Sequence, residues 1–388
     1  MFISIASYSL FIGLMLMLSI LSSREYIFIH ENISRKKNNF FTIDNILILF
    51  FFSFFSAIRW NVGIDQLSYL NNLVHFQNTG LGVFEMEYLF DRFTYYFSIS
   101  GLHFTIYFFL LAFFQIFFLL KAFNEEKYLY PYIMIVFIMG PYYLSFMNGI
   151  RQSIVSAIFV FSIKYIEKKS IVKYFLMIYF CSFIHKSSLL LLPIYYFFRV
   201  DLFKNKWITL LLVFSALYVG FLGVISSLSE YIIQIITLVG YESYSDNMFY
   251  FIDNGDPKHY GPRMISSIVA HVIIIFNYKK VREHFKNSYF FYCYQLAIFG
   301  FLYQLSFMNA NHIFTRPNVY FSIFSCFATA YVLKFFVDKF YTQKSILFFV
   351  LFFVLLVLSI CYLPISLVSD YGKGMFDFSN FKFFFNYV

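Results

Sequence analysis

YFLMIYFCSFIHKSSLLLLPIYYFF, residues 174–198, is long and apolar enough to cross a bilayer. Yet His185-Lys186-Ser187-Ser188 interrupts it and Pro193 follows. A span needs about 20 predominantly apolar residues. The stretch therefore reads either as one crossing or as a broken hairpin that enters and leaves on the same side. The choice sets the orientation of everything after it, and loop charge makes the choice. With a hairpin, the loops on one face carry 20 of the 29 basic residues, from Arg24 through Lys168, Lys169 and Arg199 to Lys344. With a single crossing, the ten basic residues of that set from Arg199 onward would lie on the opposite face. Lys and Arg concentrate in cytoplasmic loops, so the hairpin is expected. Non-helical backbone at membrane depth is tolerated only against protein or a wet cavity, so the break near His185 should line one.

The rest of the chain agrees with a membrane reading. It has 388 residues, 61% hydrophobic, 25% aromatic and only 13% charged, with mean hydropathy +0.71. A soluble domain carries roughly a quarter charged residues. Full spans are expected at 2–21, 42–58, 103–121, 131–147, 150–166, 207–225, 263–278, 288–308, 317–336 and 346–366. The fold class is thus all-α: a polytopic transmembrane bundle of about ten spans plus one broken re-entrant pair, in a single membrane domain over 1–388. Arg24 is the first basic residue and follows the first apolar run, the reverse of a secretory signal. That run is read as a retained span with its N-terminus outward. Net charge of +9 follows from the basic loops and calls for no nucleic-acid partner. Cys181, Cys293, Cys326 and Cys361 show no metal spacing and read as small buried hydrophobes.

Two outward loops are long enough to fold as partly helical insertions. Loop 59–102 holds LSYLNNLVHF, whose Leu67, Leu70 and Val74 share a helical face suited to the interface. Loop 226–262 is acidic and ends in NGDPKHYGPR. The tail from 367, with FDFSNFKFFFNYV, should set its aromatics in the interface. Asp44 opens the second span and is read as its N-cap.

Positive charge is scarce on the outer side, yet Arg59, Arg151, Arg263 and Arg316 each stand at the outer end of a span. One such arginine can simply extend its head to the interface. Four together suggest a shared anionic ligand, since the planar guanidinium fork suits phosphate. His185, at the break, is either a satisfied core residue or a proton acceptor; His312, four residues before Arg316, has the same two readings. Lys186 adds a second cation beside His185. Asp65 is a candidate base. Asp91 serves equally well as a partner for Arg92 on a solvated face, and Glu85 and Glu87 rank behind both. There is no DxD, HExxH, GxSxG or Walker-type loop, so neither a metal nor another cofactor is expected.

RWNVGIDQLSYLNN (59–72) resembles the R-x-x-x-G-x-D-x-x-x-Y signature of EpsG-like proteins, with Arg59, Gly63, Asp65 and Tyr69 in place. These proteins group with the Wzy-type polymerases of O-antigen and exopolysaccharide. FEMEYLFDRFTYYFSISGLHF (84–104) resembles the lead into that family's third span, and NGIRQSIVSAIFVFSIKYI (148–166) its arginine-led span. FIHKSSLLLLPIYYF (183–197) is similar to its F-x-H-x-S-x-L element, through His185 and Ser187. The match covers roughly residues 55–200; beyond it only the span pattern and the outward Arg263 and Arg316 agree.

The resemblance implies a GT-C-like membrane glycosyltransferase at the outer face of the bacterial cytoplasmic membrane. It would transfer a glycan from undecaprenyl pyrophosphate to another lipid-linked repeat unit, without metal. Arg59, Arg151, Arg263 and Arg316 would hold pyrophosphate, and Asp65 or His185 would be the general base. Membrane lipids, a chain-length regulator and a flippase are the implied partners. A transporter of lipid-linked units or a membrane O-acyltransferase would also be polytopic. The nearly charge-free mid-span regions and the lack of repeated halves speak against the transporter.

Overall fold

The computed structural model describes residues 2–24, 39–63, 65–79, 87–224, 231, 261–310, 312–369 and 381–386. Without water, backbone N–H and C=O groups must be satisfied within the segment, so the Phe-, Ile- and Leu-rich runs become helices. The N-terminal half holds α1 (Phe2–Ser23), α2 (Ile43–Ala57), α3 (Asp65–Thr79), α4 (Tyr88–Ile99) and α5 (Phe104–Ala122). There follow α6 (Tyr130–Met139), α7 (Pro141–Asn148), α8 (Ile150–Glu167), α9 (Ile171–Ser182), the single turn α10 (Ile194–Phe197) and α11 (Lys206–Phe221). The last part holds α12 (Pro262–His284), α13 (Phe290–Ser306), the turn α14 (His312–Thr315), α15 (Val319–Gln343), α16 (Ile346–Ile360) and α17 (Tyr362–Ser369). The protein is an all-α, multi-pass membrane protein.

Every expected span contains helix, but not every helix is long enough to cross. By length and composition five qualify among the described residues: Ile3–Ser23, Phe104–Ala122, Pro262–His284, Arg316–Gln343 and Ile346–Ser369. A sixth is the pair Asn124–Met139 and Pro141–Asn148, bent by 65°. Gly140-Pro141 accounts for the bend, because proline cannot donate to the helix and clashes with the preceding turn. Helices α2, α11 and α13 have 15, 16 and 17 residues. Helix α8 has 18 residues, but Arg151, Lys164 and Glu167 are among them.

Helix α15 is the hub: it packs on α6, α8, α12, α13 and α16, and Tyr320 through Phe336 are buried almost without interruption. On one side the packing runs from α8 to α5, α2 and α1, and on the other from α13 to α11. Close approach matters where α11 meets α13. A Cβ on Gly220 would lie 1.9 Å from the Leu305 carbonyl oxygen, so only glycine fits this helix contact.

The hairpin expected over 174–198 is present. Helix α9 ends at Ser182, a 3-10 turn runs from Lys186 to Leu191, and α10 follows. The two limbs lie side by side: Tyr174 OH donates to the Leu191 carbonyl at 2.6 Å, and the Tyr174 and Tyr195 rings are 5.4 Å apart. Entry and exit are therefore at the same end.

Other expectations need adjusting. Loop 59–102 does fold into α3 and α4, but α3 buries Gln66, Tyr69 and Leu73 and leaves Val74 exposed. Leu67 and Leu70, on the face expected at the interface, are half-buried, so that face is not the one packed on protein and the expectation for it is unchanged. Asp44 is in the first turn of α2, whose N-cap is Thr42; there its charge complements the helix dipole. The tail does not rest its aromatics only at an interface. Phe381 is buried and stacks 4.9 Å from Phe55, while Arg59 and Phe383 form an antiparallel bridge. Cys181, Cys293 and Cys326 are buried and all four cysteines are free. Almost all of loop 226–262 lies outside the described residues, as does Glu85.

Candidate active site

Between α2 and α3 the chain turns sharply, with Asn61 and Gly63 at φ 51° and 88°. This left-handed region is open to glycine and tolerated by asparagine. Gln66 closes the turn, accepting from Val62 N at 3.0 Å and donating to the Arg59 carbonyl at 2.8 Å. The tail clamps it from outside through Trp60 N to Lys382 O at 2.9 Å and Phe384 N to Ile58 O at 3.0 Å. The turn thus sends Arg59 inward and starts α3 at Asp65.

Arg59 is only 2% exposed. Its Nη2 donates to the Met147 carbonyl at 2.6 Å, while Nε and Nη1 have no partner among the described residues. The guanidinium lines a cavity of about 10 Å³ with Ser56, Gln115 and Tyr143, room for about one water.

Asp65 has three guanidinium groups close enough to act on it: Arg316, Arg151 and Arg59. Burial raises the Asp65 carboxyl above its ordinary value, and the three arginines oppose that rise without cancelling it. The three differ in access. Arg59 is enclosed, the Arg151 side chain is 38% exposed, and Arg316 is exposed. Local backbone explains their convergence. Arg151 lies in the first turn of α8, just after the Gly149 break, and Gln152 Nε2 donates to the Arg316 carbonyl at 2.7 Å. Arg316 itself opens a 3-10 turn with Pro317 at its start.

Next to this group is Glu87, immediately before α4. Its side chain is 6% exposed, with one carboxylate oxygen bonded to Arg151 Nη1 and the other to His185 Nδ1. Burial pushes the Glu87 carboxyl up, but His185 and Arg151 outweigh it and hold it below its ordinary value. The backbone fixes the same junction: Leu89 N donates to the Phe183 carbonyl at 2.9 Å. Arg151 also lies over the Phe90 ring, 5.5 Å from its centroid, and its backbone N–H reaches Tyr69 OH at 3.5 Å. Ser187, two residues beyond His185, meets Tyr320 OH on α15 at 2.7 Å.

Of the residues singled out by sequence, Arg59, Asp65, Arg151, His185 and Arg316 thus gather in one region. Asp91 is near enough to Arg151 to act on its charge, whereas Arg92 engages Tyr96 OH at 3.4 Å and the Tyr88 ring. Lys186 is half-buried beside His185. His312 begins the turn before Arg316, and its side chain lies outside the described residues. Arg263 has other partners among the described residues: its Nη2 bonds to Ser369 Oγ and its guanidinium lies 5.0 Å from the Tyr362 ring centroid. Glu87 is the residue that sequence reasoning placed too low; its partners are 64 and 98 positions away.

The arrangement offers accessible guanidinium groups for an anion, and beside them two candidate proton acceptors, Asp65 and His185. Comparison with known proteins gives one result. The model of the EpsG family matches residues 42–375, most of the chain and nearly all of the helical bundle. No curated protein and no solved structure matches. A general polysaccharide-polymerase role follows from the family match. The chain belongs to the EpsG family.

Proposed function

We propose that this protein is a polysaccharide polymerase of the bacterial cytoplasmic membrane, with its active site on the outer face. The donor is a glycan on undecaprenyl pyrophosphate, and the acceptor is a sugar hydroxyl of a second lipid-linked repeat unit. The observation that carries this reading is the Glu87 carboxylate that joins Arg151 to the His185 break, with Arg316, Arg151 and Arg59 close enough to act on the charge of Asp65. In the transfer, the acceptor oxygen bonds to the anomeric carbon and the carbon–oxygen bond to the pyrophosphate breaks. The electron pair leaves on the phosphate oxygen, and the hydroxyl proton passes to Asp65 or His185.

Arg151 and Arg316, the accessible pair, bind the pyrophosphate and stabilise the charge that grows on it. Arg59, enclosed behind them, supplies field and holds the turn that presents Asp65. Polar loops and the re-entrant break keep the site wet enough for sugars, and the apolar helices leave the polyprenyl chain in lipid. A chain-length regulator and a flippase are natural partners of such an enzyme.

Purified protein in liposomes, supplied with lipid-linked repeat units, tests this. The wild type should build a ladder of products. Removing one preorganised charge donor typically costs about 10²–10³ in turnover, so Arg151→Ala and Arg316→Ala should shorten or abolish the ladder. Full polymerisation by both variants would remove the pyrophosphate assignment. Movement of intact units without elongation would point to a transporter instead.

A further inference from the structure

The two candidate bases are not equivalent in their surroundings. Asp65 accepts no hydrogen bond among the described residues, and the charges of Arg316, Arg151 and Arg59 act on it only through space. His185 is held at one ring nitrogen only: Nδ1 is bonded to Glu87, and Nε2 has no partner among the described residues. Glu87 is ionised in its setting, because one of its oxygens is bonded to the permanently charged Arg151 and its carboxyl lies below the ordinary value. An ionised carboxylate accepts and cannot donate, so the ring nitrogen that faces it must carry the hydrogen. In the neutral imidazole the other nitrogen, Nε2, then keeps its lone pair.

We propose that Glu87 is the positioning residue of this site: by binding Nδ1–H of His185 and Nη1 of Arg151 at once, it makes His185 Nε2 the base that takes the acceptor hydroxyl's proton. The inference rests on the polymerase reading and chooses between the two bases that reading leaves open. The proton moves from the acceptor oxygen to Nε2 as that oxygen bonds to the anomeric carbon. The resulting imidazolium is stabilised by the Glu87 carboxylate. Because the second carboxylate oxygen holds Arg151, the base and one pyrophosphate ligand are fixed relative to each other. The junction joins three separate parts of the chain: the start of α4, the start of α8 and the hairpin break.

Glu87→Gln tests this through the tautomer. Glutamine has one acceptor oxygen and one NH₂ group. Arginine can only donate and so claims the oxygen. The NH₂ is left facing Nδ1, which must then become an acceptor, and the ring hydrogen moves to Nε2.

Histidine-¹⁵N spectra of the protein in lipid bilayers, at alkaline pH, read this directly, with His185→Asn identifying the His185 signals. The expected result is an Nδ1–H ring in the wild type and an Nε2–H ring in Glu87→Gln. Polymerisation turnover should fall about a hundredfold, the low end of what a positioned general base contributes, with a smaller change in the KM for the lipid-linked donor. Glu87→Asp keeps a carboxylate, and should retain the wild-type tautomer and recover part of the activity.

A wild-type tautomer in Glu87→Gln, or an Nε2–H ring in the wild type, overturns the proposal. A switched tautomer with unchanged turnover also overturns it, by removing His185 as base while leaving the polymerase reading intact with Asp65. Unimpaired polymerisation in both His185→Asn and Arg151→Ala would instead bring down the polymerase reading of the site.

Discussion

Glu87 holds two donors on one nearly enclosed carboxylate, so its protonation has a cost that stability should report. Its folded-state value lies below the ordinary 4.5. A carboxyl depressed in the folded state stabilises the protein fully above the ordinary range, and the contribution is lost as pH falls through the folded value. Thermal unfolding in detergent between about pH 6 and 3 should therefore fall more steeply for the wild type than for Glu87→Gln. Parallel curves would mean that the paired carboxylate contributes nothing. Residue types and their order made Arg59, Asp65, Arg151, Arg316 and His185 legible in the sequence, because charge at span ends is costly and so conspicuous. Glu87 was not conspicuous. A carboxylate in FEMEYLFDRF looks like part of a solvated loop until distant chain segments bring His185 and Arg151 to it. Arg263 shares the span-end position of the other three, but its partners among the described residues are Ser369 and Tyr362.

Among the elements, the broken hairpin was legible because loop charge favours it over a single crossing, and the limbs do pack side by side. The protein-facing side of α3 was not. Its Leu67, Leu70 and Val74 mark the apolar face read as interfacial, while the face packed on protein is Gln66, Tyr69 and Leu73, which carries no apolar period of its own. Apolar side chains on an interfacial helix can face lipid as well as protein, so periodicity alone does not say which stripe is packed. Packing between α11 and α13 gives a sharper test of an element contact. Gly220→Val would place methyl groups where the Leu305 carbonyl already lies. Overpacking costs typically about 1–3 kcal/mol, so the variant should unfold at lower temperature in detergent, with its helix content kept. An unchanged Tm would show that α11 is free to move away from α13.

For the whole molecule, composition and hydropathy settle an all-α membrane bundle, while span count depends on helix lengths that composition does not fix. Apolar runs of 15 to 17 residues look like spans in sequence. Whether they reach both interfaces depends on tilt and neighbours. Bundle and tail act together at one end: the C-terminal residues pair with the turn at Arg59, and three distant segments meet at Glu87. The central claim is that the group around Glu87, Arg151 and His185, and not the neighbourhood of Arg263, elongates the glycan. The most direct measurement is complementation of a gene-deletion strain, with surface glycan resolved by gel. Arg263→Ala is predicted to restore a ladder, whereas Arg151→Ala and His185→Ala should leave only single repeats. A ladder from Arg151→Ala and His185→Ala, with none from Arg263→Ala, would contradict the account.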